Sequence, residues 1–257
     1  MDLSLKGKRI VVTGGAKGIG AGIARVLVAE GAIPVIVGRN AADNQQMVES
    51  LAGEALAVTA DLIHPDACRE AVAEVIARCG GIEGLVNNAG VNDGIGLEHG
   101  NYADFMASLH RNLVHYYLMA QYLLPYLKIA EGAIVNISSK TAETGQGHTS
   151  AYAAANGGRN ALTREWAVEL LPWKIRVNAV VISESWTPLY ERWIQTLPDP
   201  ASALDRIHNR IPLGKRMTTA EEIGWAVAFL LSERSSHTTG QLLHVDGGYV
   251  HLDRALG

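Results

Sequence analysis

The sequence predicts an α/β fold, a doubly wound parallel sheet of about seven strands with helices on both faces. Three observations predict it. Seven short runs rich in valine and isoleucine lack strict polar alternation, as strands buried on both faces do. Longer helical patterns separate these runs, and strand–helix alternation implies parallel pairing through crossovers. The first run leads straight into a glycine-rich turn.

The strands are expected at 9–13 (R-I-V-V-T), 34–38, 55–59, 84–87, 133–137, 176–181 and 242–245. Helices are expected near 18–31, 41–52, 65–79, 101–128, 151–171 and 219–233. Thr219 with Glu222 forms a capping box for the last of these. No linker or internal repeat divides residues 1–257, so a single domain is expected. One segment, 183–215, breaks the pattern with Pro188, Pro198 and Pro200 beside Trp186 and Trp193. Excursions of this length are lids or binding loops; the alternative is a helical hairpin.

Composition narrows the function classes. Net charge is −4, from 22 basic and 26 acidic residues spread along the chain. No basic block marks a nucleic-acid partner. The hydrophobic fraction of 48% supports a sizeable core, yet no apolar run is long enough for a membrane span. The start, M-D-L-S-L-K-G-K-R, lacks the apolar run of a secretion signal. With only Cys68 and Cys79, a disulfide framework is not expected, and a cytoplasmic, reducing location is. The Asn136-Ile137-Ser138 sequon falls in a strand-like run and is discounted. There is no G-x-S-x-G, H-E-x-x-H or paired C-x-x-C, and His110 and His115 share no helix face well, so no metal site is expected.

The glycine turn is T-G-G-A-K-G-I-G at 13–20. Gly14, Gly18 and Gly20 allow a tight turn and close approach to a pyrophosphate, with Lys17 and Ile19 in the same loop. The helix N-terminus behind them offers free N–H groups and positive partial charge. Its strand–turn–helix context marks a Rossmann-type dinucleotide site. An acidic residue at the end of the second strand would bind the ribose 2′-hydroxyl of NAD. This chain has Gly38-Arg39-Asn40, and Arg39, assisted by Lys17, suits a 2′-phosphate. NADP is therefore the expected cofactor; the alternative is an exposed arginine beside a site that accepts either NAD or NADP.

Further residues follow in order. Asp61-Leu62 follows the third strand and Asn87-Asn88-Ala89-Gly90 the fourth. Asn112 lies in the long fourth helix, and Tyr152 comes 13 residues after Ser139. With T-G-x-x-x-x-V-D-G-G at 239–248, this set resembles the short-chain dehydrogenase/reductase family over essentially the whole chain. The resemblance implies that Tyr152 is the acid/base and that Ser139 hydrogen-bonds the reacting oxygen. It implies that Asn112 supports a proton-relay water, and that Asp61, Leu62, Asn88, Ala89 and Gly90 lie along the cofactor. Thr187 resembles the hydroxyl that holds the nicotinamide carboxamide. Ile182-Ser183 stands where the family has Pro-Gly beside the nicotinamide.

A second departure is Y-A-A-A-N at 152–156, where the family has Tyr-x-x-x-Lys. The family's lysine holds the nicotinamide ribose, and its charge favours the ionised tyrosine. Asn156 can donate to a ribose hydroxyl but carries no charge, so a loss of about 10²–10⁴ in rate is expected near neutral pH. Three readings remain. Asn156 is a substitution introduced into an active enzyme, or it marks a natural cofactor-binding paralogue without turnover, or another group supplies the charge. The otherwise intact motif set favours the first.

Polar residues surround the catalytic pair: Asn92 and Asp93 after N-N-A-G, and Thr141, Glu143, Gln146 and His148 before Tyr152. Segment 183–215 adds Glu184, Trp186, Tyr190 and Trp193. Polar groups with aromatic faces suit a sugar better than a greasy chain. The stretches S-S-K-T-A-E-T-G-Q-G, W-T-P-L-Y and V-D-G-G-Y-V-H-L-D-R-A resemble bacterial L-fucose dehydrogenases within the family. That resemblance implies oxidation of the anomeric hydroxyl of L-fucose, or a related aldopyranose, to the lactone. It also implies a homotetramer in which the tail His251-Leu252-Asp253-Arg254 packs on a neighbouring subunit. The alternatives are a catalytically silent regulatory paralogue or a reductase of another carbonyl substrate.

Overall fold

Seven strands form one parallel sheet in the order β3-β2-β1-β4-β5-β6-β7 in the computed structural model, which describes residues 2–252. They are β1 (Arg9–Thr13), β2 (Ile33–Gly38), β3 (Leu56–Thr59), β4 (Gly84–Asn87), β5 (Ala133–Ser139), β6 (Arg176–Ile182) and β7 (Leu242–Val245). The helices are α1 (Gly18–Ala29), α2 (Ala41–Ser50), α3 (Pro65–Cys79), α4 (Tyr102–Leu109), α5 (His115–Ala130), α6 (Ser150–Glu169), α7 (Pro188–Ile194), α8 (Pro200–Asn209) and α9 (Ala220–Leu231). The expected doubly wound sheet is the one observed.

Successive strand residues serve opposite faces, which is why the runs show no polar alternation. Val11, Leu85 and Ile134 pack with Val72, Leu123 and Trp166 from α3, α5 and α6. Ile10, Val12 and Val135 pack with Ile23 and Leu27 of α1 and with Val227 of α9. Glycine brings α1 and α9 together: a Cβ at Gly22 would stand 2.6 Å from the Ala220 carbonyl carbon. That contact fixes α1, and with it the glycine turn.

Three elements differ from the sequence reading. β5 and β6 run on to Ser139 and Ile182, which pair in register, so the strands carry polar residues at the edge where the site lies. The helix expected at 101–128 is α4 and α5 joined by a π turn, His110–Val114, that holds Asn112. Segment 183–215 contains α7 and α8 rather than an irregular lid. Pro188 and Pro200 occupy their first turns, behind the N-caps Thr187 and Asp199.

The Thr219–Glu222 capping box forms: Glu222 N–H donates to Thr219 Oγ1 at 3.1 Å and Thr219 N–H to Glu222 Oε2 at 2.9 Å. The Arg216 guanidinium, with that N–H, pulls the Glu222 carboxyl from 4.5 down to about 2. Thr219→Ala should cost about 1 kcal/mol, seen as a lower urea midpoint at unchanged slope. A depressed carboxyl stabilises the fold above its unfolded value and loses that contribution as pH falls through its folded value. The stability gap between the parent and Glu222→Gln should therefore close as pH falls from 4.5 to 2.

Candidate active site

The strand order reverses between β1 and β4, and a cleft of about 600 Å³ opens at their C-terminal ends. Gly14 and Gly18 line it with φ of +64° and +55°, beside Lys17 and Ile19. Gly20 is a packing glycine, because a Cβ there would collide with the Gly14 carbonyl oxygen. Lys17 is the N-cap of α1 but makes no capping bond; its ammonium pairs with Asp43 at 2.7 Å. The first-turn N–H groups of α1 thus lack a side-chain cap, and such groups receive anions. This cradle fits a dinucleotide pyrophosphate.

Arg39, Asp61 and Leu62 line the end of the cleft nearest β2 and β3. Asn88, Ala89 and Gly90 form its wall, and the Asn88 amide is committed to the frame. Asn88 Nδ2 donates to Thr13 O at 2.9 Å and to Gly14 O at 3.3 Å. Ile182 and Thr187 close the opposite side. Thr187 Oγ1 accepts from Tyr190 N–H at 3.1 Å as the cap of α7, which leaves the hydroxyl proton to donate.

Tyr152 and Ser138 line the cleft, and Ser139 ends β5 beside Ser138. The Ser139 hydroxyl accepts from Thr141 N–H at 3.3 Å. Asn112 is fully buried; its Oδ1 accepts from Val91 N–H at 2.8 Å and its Nδ2 donates to Ser108 O at 3.1 Å. Asn156 differs from expectation. It is fully buried and does not line the cleft. Its Nδ2 donates to Tyr152 O at 2.8 Å and its Oδ1 accepts from Arg159 Nη1 at 3.0 Å. Both ends of the amide are used inside the protein, and its buried position keeps it away from the ribose that it was expected to reach.

Sequence reasoning missed Arg159. It is buried, lines the cleft, and its guanidinium carbon lies 6.0 Å from the Tyr152 ring centroid and 4.2 Å from that of Tyr116. The available signal was a cation three residues beyond Asn156, following the small-residue run at 153–158. Below it, burial and the Arg159 charge hold His115 down to about 4, so its ring is neutral at pH 7. Burial pushes the Tyr116 phenol well up.

Missed too was Lys140, which is buried, forms a partly buried ion pair with Glu184 and lies 4.0 Å above the Tyr249 ring. Glu184 also faces Tyr190, whose phenol is pushed up by burial and then by this carboxylate. The Tyr190 ring lies 6.1 Å from Trp186 and 5.1 Å from Trp193, and Trp186 is half-exposed. Thr141 is buried, with its hydroxyl unpartnered among the described residues. Asn92 lines the cleft, whereas Gln146 and His148 are exposed on the loop before α6. Glu143, His244 and His251 place ligand atoms within 4.8 Å of one another, a trio that no local motif announces. His251 stacks edge-on against His244 of its own chain at 4.3 Å; Asp253 and Arg254 lie outside the described residues.

Residues 14–250 match the family model described as "Enoyl-(Acyl carrier protein) reductase". The chain belongs to the short-chain dehydrogenase/reductase family. Among solved structures of this fold, that of the Cj0485 dehydrogenase superposes with a TM-score of 0.95 at 47% identity, covering 100% of this chain and 99% of that one. L-fucose dehydrogenase of Oryctolagus cuniculus is 35% identical, over 94% of this chain and 84% of its own. L-xylulose reductase of Bos taurus is 37% identical, over 97% and 99%. The family's cofactors are nicotinamide dinucleotides, and the glycine cradle of this short-chain dehydrogenase accommodates one.

Gly20 tests that cradle. Gly20→Ala should weaken NADPH binding by about 10-fold or more, equivalent to about 1.4 kcal/mol, in a fluorescence titration of folded protein. Unchanged affinity would mean that the turn does not hold the pyrophosphate.

Proposed function

We propose that this short-chain dehydrogenase/reductase oxidises the anomeric hydroxyl of L-fucose, or a related aldopyranose, to the lactone with NADP as the preferred acceptor. The observation that carries the sugar reading is the polar and aromatic segment beside the cleft. There a partly buried Lys140–Glu184 pair adjoins the Trp186–Tyr190–Trp193 cluster. Rings of this kind pack on pyranose C–H faces, while fixed polar groups take the hydroxyls. The L-fucose dehydrogenase among the relatives supports the same substrate class.

The bound nicotinamide supplies a two-electron acceptor for the C1–H bond. The chain's own residues do the rest. Tyr152 takes the hydroxyl proton as its base, and Ser139 holds the reacting oxygen. Asn112, fixed by Val91 and Ser108, sets the geometry behind them. Arg39, exposed at the cleft, would take a 2′-phosphate, with Lys17, which pairs with Asp43, to assist it.

Asn156 favours a second reading, a cofactor-binding paralogue without turnover, since it lacks the charge of the family's lysine. Turnover separates the two. NADPH should form when the chain is given L-fucose and NADP, and Tyr152→Phe should reduce kcat by about 10³-fold. Tight NADPH binding with no product from L-fucose, related aldoses or a panel of carbonyl substrates would favour the paralogue. Arg39→Ala should raise KM for NADP about 10-fold and leave KM for NAD unchanged, consistent with one lost charge-assisted contact. The reading includes a cytoplasmic homotetramer. The exposed Val168, Leu171, Trp225 and Phe229 support self-association, to be measured by light scattering.

A further inference from the structure

We propose that Arg159 supplies the positive charge that the family's lysine brings, and that it acts through Tyr152 from about one turn further along α6. The inference rests on the reading of Tyr152 as the base. Arg159 is 3% exposed and its hydrogen bonds all go to neutral acceptors. Nε donates to Asn112 O at 2.6 Å, Nη1 to Ile137 O at 3.2 Å and to Asn156 Oδ1 at 3.0 Å, and Nη2 to Asn112 Oδ1 at 3.5 Å. No carboxylate among the described residues pairs with it. A buried cation without a counter-ion is costly to keep. It is consistent with a site where negative charge develops on a neighbour: of the two rings the guanidinium faces, Tyr116 at 4.2 Å has its phenol tied to Ile137 O, and Tyr152 at 6.0 Å lines the cleft.

The surroundings are shaped for this guanidinium. A Cβ at Gly90 would stand 2.8 Å from Nη2 and 2.9 Å from Asn112 Oδ1, so the last glycine of N-N-A-G leaves room for both. The amide at 156 then has a purpose of its own. Its Oδ1 accepts from Arg159, a role a lysine ammonium cannot fill. Lysine and arginine at 156 and 159 would set two cations side by side, and the chain has one.

Other charged groups at the site do not replace it. Arg111 is paired with Asp93 at 3.1 Å, and Lys140 is paired with Glu184. His115 is neutral, and the Tyr116 phenol donates to Ile137 O at 3.1 Å. Asp61, on the cofactor side of the cleft, is the acidic group whose charge reaches His115. Arg159 is a positioning residue in this scheme: it favours the basic form of Tyr152 without touching the transferred proton.

The test uses Arg159→Met, Arg159→Lys, Asn156→Lys and the double variant Arg159→Met/Asn156→Lys, with folding checked by circular dichroism. One readout needs neither sugar nor cofactor: the ultraviolet tyrosinate absorbance that disappears in Tyr152→Phe. It should develop at higher pH in Arg159→Met than in the parent, and return towards the parent in Arg159→Lys and in the double variant. In turnover of L-fucose, Arg159→Met should lose about 10²-fold in kcat near neutral pH, and the loss should shrink as pH rises. Asn156→Lys alone should lower activity, because it crowds a second cation against Arg159. Folded Arg159→Met that keeps both the parent's kcat and its Tyr152 titration would overturn the proposal. If Arg159→Met fails to fold, Asn156→Lys decides, and a rise of about 10²-fold there overturns the proposal. If no variant oxidises L-fucose, the substrate reading fails, while the absorbance still judges Arg159.

Discussion

Four hydrogen bonds across the switch point of the sheet hold the site together. Main-chain pairing between β1 and β4 ends at Val12 and Val86. Beyond it, side chains take over: Thr13 Oγ1 accepts from Asn88 N–H at 2.9 Å and from Ala89 N–H at 3.1 Å, and Asn88 Nδ2 returns to Thr13 O and Gly14 O. Each such bond contributes about 1 kcal/mol net, but leaving a buried carbonyl or N–H unpaired costs more. The glycine turn and the N-N-A-G loop are therefore tied at a fixed spacing, which sets the width of the cleft. Gly20 fits beneath this clamp because it has no side chain.

A buried polar ladder extends the frame from the cofactor side to the acid–base side. Asn87 Nδ2 donates to Asn136 Oδ1 at 3.0 Å, Asn136 Nδ2 to Thr163 Oγ1 at 3.0 Å, and Thr163 Oγ1 to Arg159 O at 2.8 Å. The ladder runs from β4 through β5 to α6, so it registers the helix carrying Tyr152 and Arg159 against the strands. Its members are buried, and removing one would leave the next unsatisfied in a low dielectric. The π turn of the α4–α5 connection serves the same end, presenting the Asn112 carbonyl to Arg159 Nε.

The inner strands were legible because they bury both faces, and the glycine turn because its context is local. What escaped depends on partners remote in sequence. Nothing near Asn112 announces a π turn; its reasons are Val91 and Arg159, the latter 47 residues away. Segment 183–215 reads as irregular if its prolines are taken as breakers, yet Pro188 and Pro200 each follow a capping residue and begin a helix. Tyr152 and Ser139 stand out by spacing, whereas Arg159 is one arginine among many until Gly90, Asn112 and Asn156 are assembled around it. The partners of the Asn156 amide, Tyr152 O and Arg159 Nη1, lie on its own helix, and no sequence pattern distinguishes them from a ribose hydroxyl.

The two duties of the family's lysine have different physical requirements. Holding a ribose needs a donor that reaches into the cleft, and Asn156 does not line it. Biasing a tyrosine needs only a charge at short range in a poorly hydrated place, and direction matters less than distance. A guanidinium meets the second requirement with less freedom than an ammonium. Its planar fork is held by four acceptors here. In the proposed scheme, moving the charge from position 156 to 159 separates electrostatics from ribose binding. The grip on the ribose is left, in that scheme, to the rest of the cleft.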